Sequence, residues 1–164
     1  MHELRLHHVA SGELMIGRRG EVLTALLGSC IAIGLIWREA GKCGLAHCLL
    51  PEAQRQSIGI GARFVSQAVP SLIRLMDIGP ADLAQVEVVL AGGASMLGRA
   101  GIGNMVGRAN VAAARQVAAQ FGLRVCHEDL GGRRARRISI DCASHSFKIV
   151  HFERQEQEPS HAHH

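Results

Sequence analysis

Two short apolar segments joined by a polar link constrain the fold more than any other feature of this sequence. Residues 31–37 read IAIGLIW, residues 38–42 read REAGK, and residues 43–50 read CGLAHCLL before Pro51. Each apolar segment has the length and the composition of a buried strand, whereas the polar link with its glycine is typical of a turn. The pattern therefore predicts a hairpin of two buried strands.

The register of this hairpin decides whether Cys30, at the start of the first strand, can act together with His47 in the second. A turn centred on the first two residues of the REAGK link places Cys30 directly opposite His47. A turn centred on the third and fourth residues separates them by four positions, unless an irregular entry at residues 28–29 brings the thiol back. The sequence leaves both registers open.

The remaining patterns predict a single α+β domain over residues 1–152, followed by a polar tail at 153–164 that we expect to be disordered. The strands outnumber the helices, so we predict a mixed, largely antiparallel sheet system with helices packed outside, an αβ sandwich. Further strands are predicted at 86–93, 123–129, 136–141 and 146–152. Helices are predicted at 62–76, with a kink or a local break at Pro70, and at 110–122. The glycine-rich segment between 98 and 107 is predicted to be a loop.

Composition excludes several classes of protein. No apolar segment approaches the roughly 20 residues of a membrane span, and we expect a cytoplasmic location. Five cysteines among 164 residues form an odd set without regular spacing, which favours reduced thiols over a disulfide framework. The net charge of +4 favours an acidic partner, but only 3% of residues are aromatic and none is tyrosine, which disfavours stacking on single-stranded nucleic acid.

Alternation along the second strand separates the possible ligands of a metal ion. Cys43 and His47 point to one face of the strand, and Cys48 points to the other. No second cysteine–histidine pair has a zinc-like spacing. We therefore predict neither a metal nor a cofactor. A cysteine beside a histidine suits nucleophilic catalysis instead, because an adjacent base activates the thiol and a third group orients the base.

Several segments in one order resemble the CheD family, bacterial protein-glutamine deamidases that act on chemoreceptors. They are TALLGSC (24–30), GLAHCLLP (44–51), ARFVSQAVPSLIRLM (62–76), VVLAGGASM (88–96), VGRANVAAARQVAAQFGL (106–123) and EDLGGRRARRISID (128–141). The resemblance implies Cys30 as nucleophile, His47 as general base and acid, and Thr24 as the group that orients the histidine. It also implies a thioester intermediate, release of ammonia, chemoreceptor helices as substrate and a CheC-type phosphatase as a further partner.

Two other groups of residues are candidates for parts of this reaction. Backbone N–H groups near Gly28, Ser29 and the cysteine are candidate donors to the oxyanion. The arginine run at 133–137, with Arg133, Arg134 and Arg136, is a candidate docking surface for an acidic receptor coiled coil.

Two alternatives come from other classes of function. One is a chemotaxis protein that binds receptors or a phosphatase without catalysis. The other is a nucleotide-binding module, because the segments from 86 to 129 imitate a βαβ unit that ends in the acidic pair Glu128 and Asp129. The glycine pattern GIGNMVG at 101–107 departs from the dinucleotide-binding motif, which disfavours this second alternative.

Overall fold

Two facing β-sheets, with two helices on the outer face of one of them, make up the part of the chain that the structure describes. The computed structural model describes residues 3–52, 59–95 and 102–153, without the side chains of 102–104. In chain order the strands are β1 (Arg5–His8), β2 (Leu14–Gly17), β3 (Glu21–Leu27), β4 (Ile31–Trp37), β5 (Lys42–Cys48), β6 (Glu87–Gly92), β7 (Arg124–Leu130), β8 (Arg136–Asp141) and β9 (Ser146–His151). The α-helices are α1 (Val65–Leu75) and α2 (Ile102–Gln120), and a single turn of 3-10 helix covers Leu83–Gln85.

The strands form one four-stranded and one five-stranded sheet. The first has the order β1-β3-β8-β9, and the second has the order β2-β5-β4-β6-β7, with the predicted hairpin near its centre. The pairs β1–β3 and β6–β7 are parallel, and the other named pairs are antiparallel. This confirms the predicted α+β class with a mixed, largely antiparallel sheet system.

Alternation along the strands of the five-stranded sheet produces two apolar cores. Ile36 of β4 and Leu45 of β5 face the other sheet and pack with Ile140 of β8. Ile33 and its neighbours on the opposite face pack against the helices, including Leu72 of α1. Each fully buried aliphatic side chain contributes about 1.5–3 kcal/mol, so both faces of this sheet stabilise the fold. The central strand β4 is buried along its whole length, which explains its unbroken apolar sequence.

The hairpin register lies between the two that the sequence allowed. Its loop contains residues 38–41 and is closed by Gly41, which has φ +66° and donates its N–H to the carbonyl of Arg38 at 3.1 Å. This centres the turn one residue later than the first alternative, so His47 lies opposite Ala32. Cys30 is therefore neither directly opposite His47 nor four positions away; it precedes Ala32 by two residues and lies diagonally from the histidine.

Both helices differ from their predicted boundaries. Helix α1 covers Val65–Leu75, so it begins three residues later and ends one residue earlier than predicted. Pro70 lies inside α1 and does not end it. Helix α2 begins at Ile102, so part of the segment predicted as a glycine-rich loop is helical, while residues 96–101 lie outside the described residues. A Cβ at Gly107 would lie 2.8 Å from the carbonyl oxygens of Gly93 and Ala94, so this glycine allows α2 to pass close to the end of β6.

Two further predictions were that no segment spans a membrane and that the C-terminal tail is disordered. Neither described helix combines the length and the apolar composition that crossing a bilayer requires. Most of the tail predicted to be disordered, residues 154–164, lies outside the described residues.

Candidate active site

A bend at residues 28–30 presents Cys30 at the entrance to β4. The carbonyl of Cys30 accepts a hydrogen bond from the N–H of Gly93 at 2.8 Å, and the carbonyl of Gly28 accepts one from Ala94 at 2.9 Å. Both carbonyls therefore point toward the residues that follow β6. The N–H groups of Ser29 and Cys30 make no hydrogen bond to any residue in the described ranges, which leaves them available as donors.

Gly92 is required where β6 passes beneath this bend. Its φ of +107° is a conformation that residues with a side chain rarely adopt, and a Cβ at this position would overlap the carbonyl oxygen of Cys30. The glycine pair that ends β6 thus lets the backbone approach the nucleophile closely. This gives a physical reason for the Gly-Gly in the motif VVLAGGASM.

Asn110 ties the bend to the end of the histidine strand. Its side chain is fully buried on α2, and its Nδ2 group donates to the carbonyl of Ser29 at 3.0 Å and to the carbonyl of Leu49 at 3.1 Å. Its Oδ1 atom is buried and has no partner in the described part of the chain. One amide therefore holds both the residue before the nucleophile and the chain two residues after His47.

His47 projects into the space between the two sheets and is only 6% exposed. Its Nδ1 atom lies 2.9 Å from the carbonyl oxygen of Val9. A carbonyl oxygen can only accept a hydrogen bond, so in the neutral ring Nδ1 carries the proton and Nε2 keeps its lone pair. The geometry thus leaves Nε2 as the atom that can take a proton. Cys30, half-buried, packs against the same inter-sheet core.

The Thr24 hydroxyl is engaged away from the histidine ring. It donates to the carbonyl of Ile138 at 2.9 Å and accepts from Ser139 at 3.3 Å. The neighbours of Thr24 on β3 face the inter-sheet core, so alternation turns its side chain to the other face of the strand. Its backbone does connect to the site, because its carbonyl accepts the N–H of Val9 at 2.8 Å. The link from Thr24 to His47 therefore runs through Val9, not through the predicted orienting contact of the side chain.

The other cysteines are less suited than Cys30 to attack a substrate. Cys48 lies on the face of β5 opposite to His47, as the alternation predicted, and this face packs against the helices. Burial raises the pKa of its thiol well above the usual value, as does the nearby Cys30. Cys126 is exposed, but partial burial of its thiol and the charge of Glu87 raise its pKa as well. A hydrogen bond from Cys142 lowers the pKa of the Cys43 thiol, but Cys43 and Cys142 are both buried, so a substrate does not reach them. In the described ranges, Cys30 alone combines partial exposure with a place beside His47.

The arginine run divides into exposed and buried members. Arg133 and Arg134 are exposed. Arg136, predicted as a docking residue, is only 2% exposed, and its Nη1 atom lies 2.7 Å from Oδ1 of Asp129. This part of the docking prediction is wrong, because alternation along β8 turns Arg136 inward. Burial acts to raise the pKa of the Asp129 carboxyl, but the hydrogen bond from His151, together with its charge and that of Arg136, outweighs burial and lowers the pKa.

The segments from 86 to 129 do form a parallel βαβ unit, but both acidic residues at its end form ion pairs within the protein. Strands β6 and β7 are parallel and follow each other through α2. Glu128 pairs with Arg115 at 3.0 Å, and Asp129 pairs with Arg136. These ion pairs occupy the carboxylates that a ribose hydroxyl would need, which disfavours the nucleotide-binding alternative.

The sequence is similar to those of known proteins over most of its length. The model of a family described as "CheD chemotactic sensory transduction" matches residues 49–151, which is more than half of the chain. The chain belongs to the CheD family. It is 40% identical to the "Probable chemoreceptor glutamine deamidase CheD 2" of Ruegeria sp., over 87% of this chain and 89% of that protein. It is 37% identical to the "Probable chemoreceptor glutamine deamidase CheD" of Bdellovibrio bacteriovorus, over 82% of this chain and 87% of that protein.

A third CheD relative comes from an archaeon. The chain is 35% identical to the "Probable chemoreceptor glutamine deamidase CheD" of Methanococcus maripaludis strain C5, over 86% of this chain and 92% of that protein. The matched segment of the family model begins after Cys30 and His47, so the geometry of these two residues is separate support for the site.

Sequence reasoning did not assign a role to three contributors to this site: Gly92, Asn110 and Val9. A signal existed for Asn110, which is a polar residue on the same stripe of α2 as the buried Ala114 and Val117. Val9 contributes a backbone carbonyl, and no side-chain pattern reports that group.

Proposed function

We propose that this chain hydrolyses the side-chain amide of glutamine residues on chemoreceptors, with Cys30 as the nucleophile and His47 as the general base and acid. The observation that carries the proposal is the hydrogen bond from His47 to Val9, which leaves Nε2 free on the face of β5 toward which Cys30 lies. The names of the CheD relatives support the substrate class.

The first step forms a bond between the cysteine sulfur and the amide carbon of glutamine. His47 accepts the thiol proton at Nε2, and the electron pair of the carbonyl moves to oxygen. The free N–H groups of Ser29 and Cys30 are candidate donors to this oxyanion. One such donor stabilises a transition state by about 3–4 kcal/mol, judged from the effect of removing a donor in other enzymes.

The second step releases ammonia and then the product. His47 gives its proton to the departing nitrogen as the carbon–nitrogen bond breaks, and a thioester with Cys30 remains. Water, deprotonated by the same imidazole, attacks the thioester carbon and displaces the thiolate. The neutral amide has become a carboxylate, which changes the charge of the receptor helix.

Arg133 and Arg134 support recognition of an acidic receptor helix. They lie exposed between the end of β7 and the start of β8. Ser95, just beyond the residues that hold the nucleophile bend, donates its N–H to Gly132 at 2.8 Å, so this loop is connected to the site. Opposite charge at this position steers an acidic partner toward the nucleophile.

The proposal is tested with the purified chain and the cytoplasmic fragments of chemoreceptors from the same cell. Ammonia release gives the rate, and peptide mass spectrometry locates each glutamine converted to glutamate. We expect Cys30→Ala and His47→Ala each to lower turnover by several orders of magnitude. Since both residues act on one bond, the double variant should be scarcely slower than Cys30→Ala alone. Cys126→Ala, which removes an exposed thiol away from the site, is the matched control and should keep parental turnover.

Parental turnover in Cys30→Ala would overturn the proposal. Receptor binding without any conversion of glutamine in the parent would favour the non-catalytic chemotaxis protein instead.

A further inference from the structure

The segment Val9–Glu13 joins β1 of one sheet to β2 of the other and passes directly over the site. The N–H of Glu13 donates to the carbonyl of Ala10 at 2.9 Å, which closes a β-turn with Ser11 and Gly12 at its centre. Gly12 has φ +83° at the third position, the conformation that a type II turn requires there. The sequence patterns assigned no role to this turn.

The Val9–Glu13 segment holds His47 at three atoms. The N–H of Gly12 donates to the carbonyl of His47 at 2.7 Å, and the N–H of His47 donates to the carbonyl of Glu13 at 2.9 Å. The third contact is the Val9 carbonyl on Nδ1 of the ring. Backbone and side chain of the histidine are thus fixed by one short piece of chain.

The same turn also reaches the nucleophile. The Oγ atom of Ser11 lies 3.7 Å from the Sγ atom of Cys30, within hydrogen-bond distance for sulfur. Ser11 itself is exposed, so its hydroxyl meets the thiol from the solvent side. A hydroxyl in this position can donate to a thiolate and stabilise its charge.

We propose that the Val9–Glu13 segment positions both reacting groups: the Val9 carbonyl fixes the tautomer and orientation of His47, and the Ser11 hydroxyl stabilises the Cys30 thiolate. Ser11 touches a reacting atom, whereas Val9 and Gly12 act through the histidine. The proposal rests on the deamidation proposed above, since it names further groups for that reaction.

The Ser11 part is tested by alkylation of Cys30 in the absence of receptor. Loss of the hydroxyl in Ser11→Ala should slow iodoacetamide labelling of Cys30 at neutral pH by about three- to tenfold, because the thiolate loses one hydrogen bond at a position that water partly replaces. Ser11→Thr keeps the hydroxyl and should restore the rate. Ser144→Ala, at an exposed turn between β8 and β9, is the control. In the receptor assay Ser11→Ala should lower kcat by a similar factor and leave KM unchanged.

The Val9 part is tested by Gly12→Ala. A Cβ at Gly12 has room, with its nearest neighbour Arg63 Cα at 4.0 Å, so the substitution acts through the positive φ. Because alanine disfavours this φ, the turn should change its conformation and displace the Val9 carbonyl from the ring of His47. We expect kcat to fall at least tenfold with KM unchanged. The matched control is Gly20→Ala, because Gly20 has φ +93° and open space around its Cα. It should lose similar stability and keep its turnover.

Nitrogen-15 spectra of the histidine rings report the tautomer directly. The parent should show His47 as a single form with the proton on Nδ1, assigned as the signal that disappears in His47→Gln. Gly12→Ala should show a mixture of tautomers. Neither the spectra nor the alkylation needs a substrate, so they stand even if the parent does not deamidate receptors. An unchanged labelling rate in Ser11→Ala, or a single unchanged tautomer in Gly12→Ala, would overturn the corresponding part.

Discussion

Replacing Asn110 by leucine removes the amide that joins the nucleophile bend to the end of β5. Both carbonyls that it holds, those of Ser29 and Leu49, lose their donor. Each buried acceptor left without a donor costs about 1–3 kcal/mol. The substitution also removes the unpartnered Oδ1 atom, and relief of that burial returns about 1–3 kcal/mol. Two such carbonyls cost about 2–6 kcal/mol together, so at matching ends of the two ranges the net expected loss of unfolding free energy is about 1–3 kcal/mol. A domain of ordinary stability remains folded after such a loss.

Urea unfolding followed by fluorescence of Trp37, the single tryptophan, measures this loss. Gln116→Leu is the matched control, since it replaces an exposed amide on the same helix and should change stability by no more than about 0.5 kcal/mol. Asn110→Asp keeps the size of the side chain but removes both N–H donors, so at neutral pH it should be destabilised at least as much as the leucine variant.

Activity should fall in these variants even when all of the protein is folded. Release of the Ser29 carbonyl lets the bend move, and a displacement of about 1 Å at a reacting group can cost roughly a hundredfold in rate. Ammonia release under conditions where the variant is fully folded separates the two effects. An Asn110→Leu protein with parental stability and parental turnover would refute the reasoning. The two hydrogen bonds would then contribute neither to the stability of the fold nor to the position of the nucleophile bend.

Four other perturbations have definite expected outcomes. Gly92→Ala should lower kcat more than tenfold and reduce the melting temperature, because its Cβ would displace the carbonyl of the nucleophile; full activity would contradict the proposed packing. Thr24→Val should cost about 1 kcal/mol of stability and less than tenfold in turnover, because its hydroxyl bonds β8; a hundredfold loss would assign the orienting role to that hydroxyl. Replacing Arg133 and Arg134 by alanine should raise KM and weaken its salt dependence with kcat nearly unchanged, and unaltered kinetics would argue against docking. The Asp129 carboxyl has a lowered pKa in the folded protein, so its ion pairs stabilise the fold at pH values above the pKa of the unfolded chain. This contribution is lost as the pH falls through the pKa of the folded protein. In urea titrations between about pH 6 and pH 3, the parent should therefore lose more stability than Asp129→Asn.

Hydrophobic periodicity predicted the strands that have no irregularity and whose apolar side chains face a core. The hairpin strands and β8 have nearly the predicted bounds, because each is an uninterrupted strand whose apolar residues face a core. The first three strands were not predicted from periodicity. They are short or only partly buried, so their alternation is weak, and β1 pairs in parallel with β3 across an intervening strand of the other sheet.

The candidate site was predictable to the extent that it depends on side-chain identity. Cys30 and His47 came from a motif, and the structure places them diagonally on one face. The register could not be predicted because it depends on the conformation of Gly41 in the loop. The contact on Nδ1 could not be predicted either, since the carbonyl of any residue would serve in place of Val9.

The Val9–Glu13 segment connects the two sheets, and this makes the imidazole sensitive to their relative position. His47 belongs to the five-stranded sheet. Val9, whose carbonyl accepts the hydrogen bond from its ring, donates its own N–H to Thr24 of the four-stranded sheet. A small slide of one sheet over the other would turn the ring before it exposed the apolar core. We therefore expect heat or urea to inactivate the protein before it unfolds, and substitutions deep between the sheets to change the rate without touching the substrate.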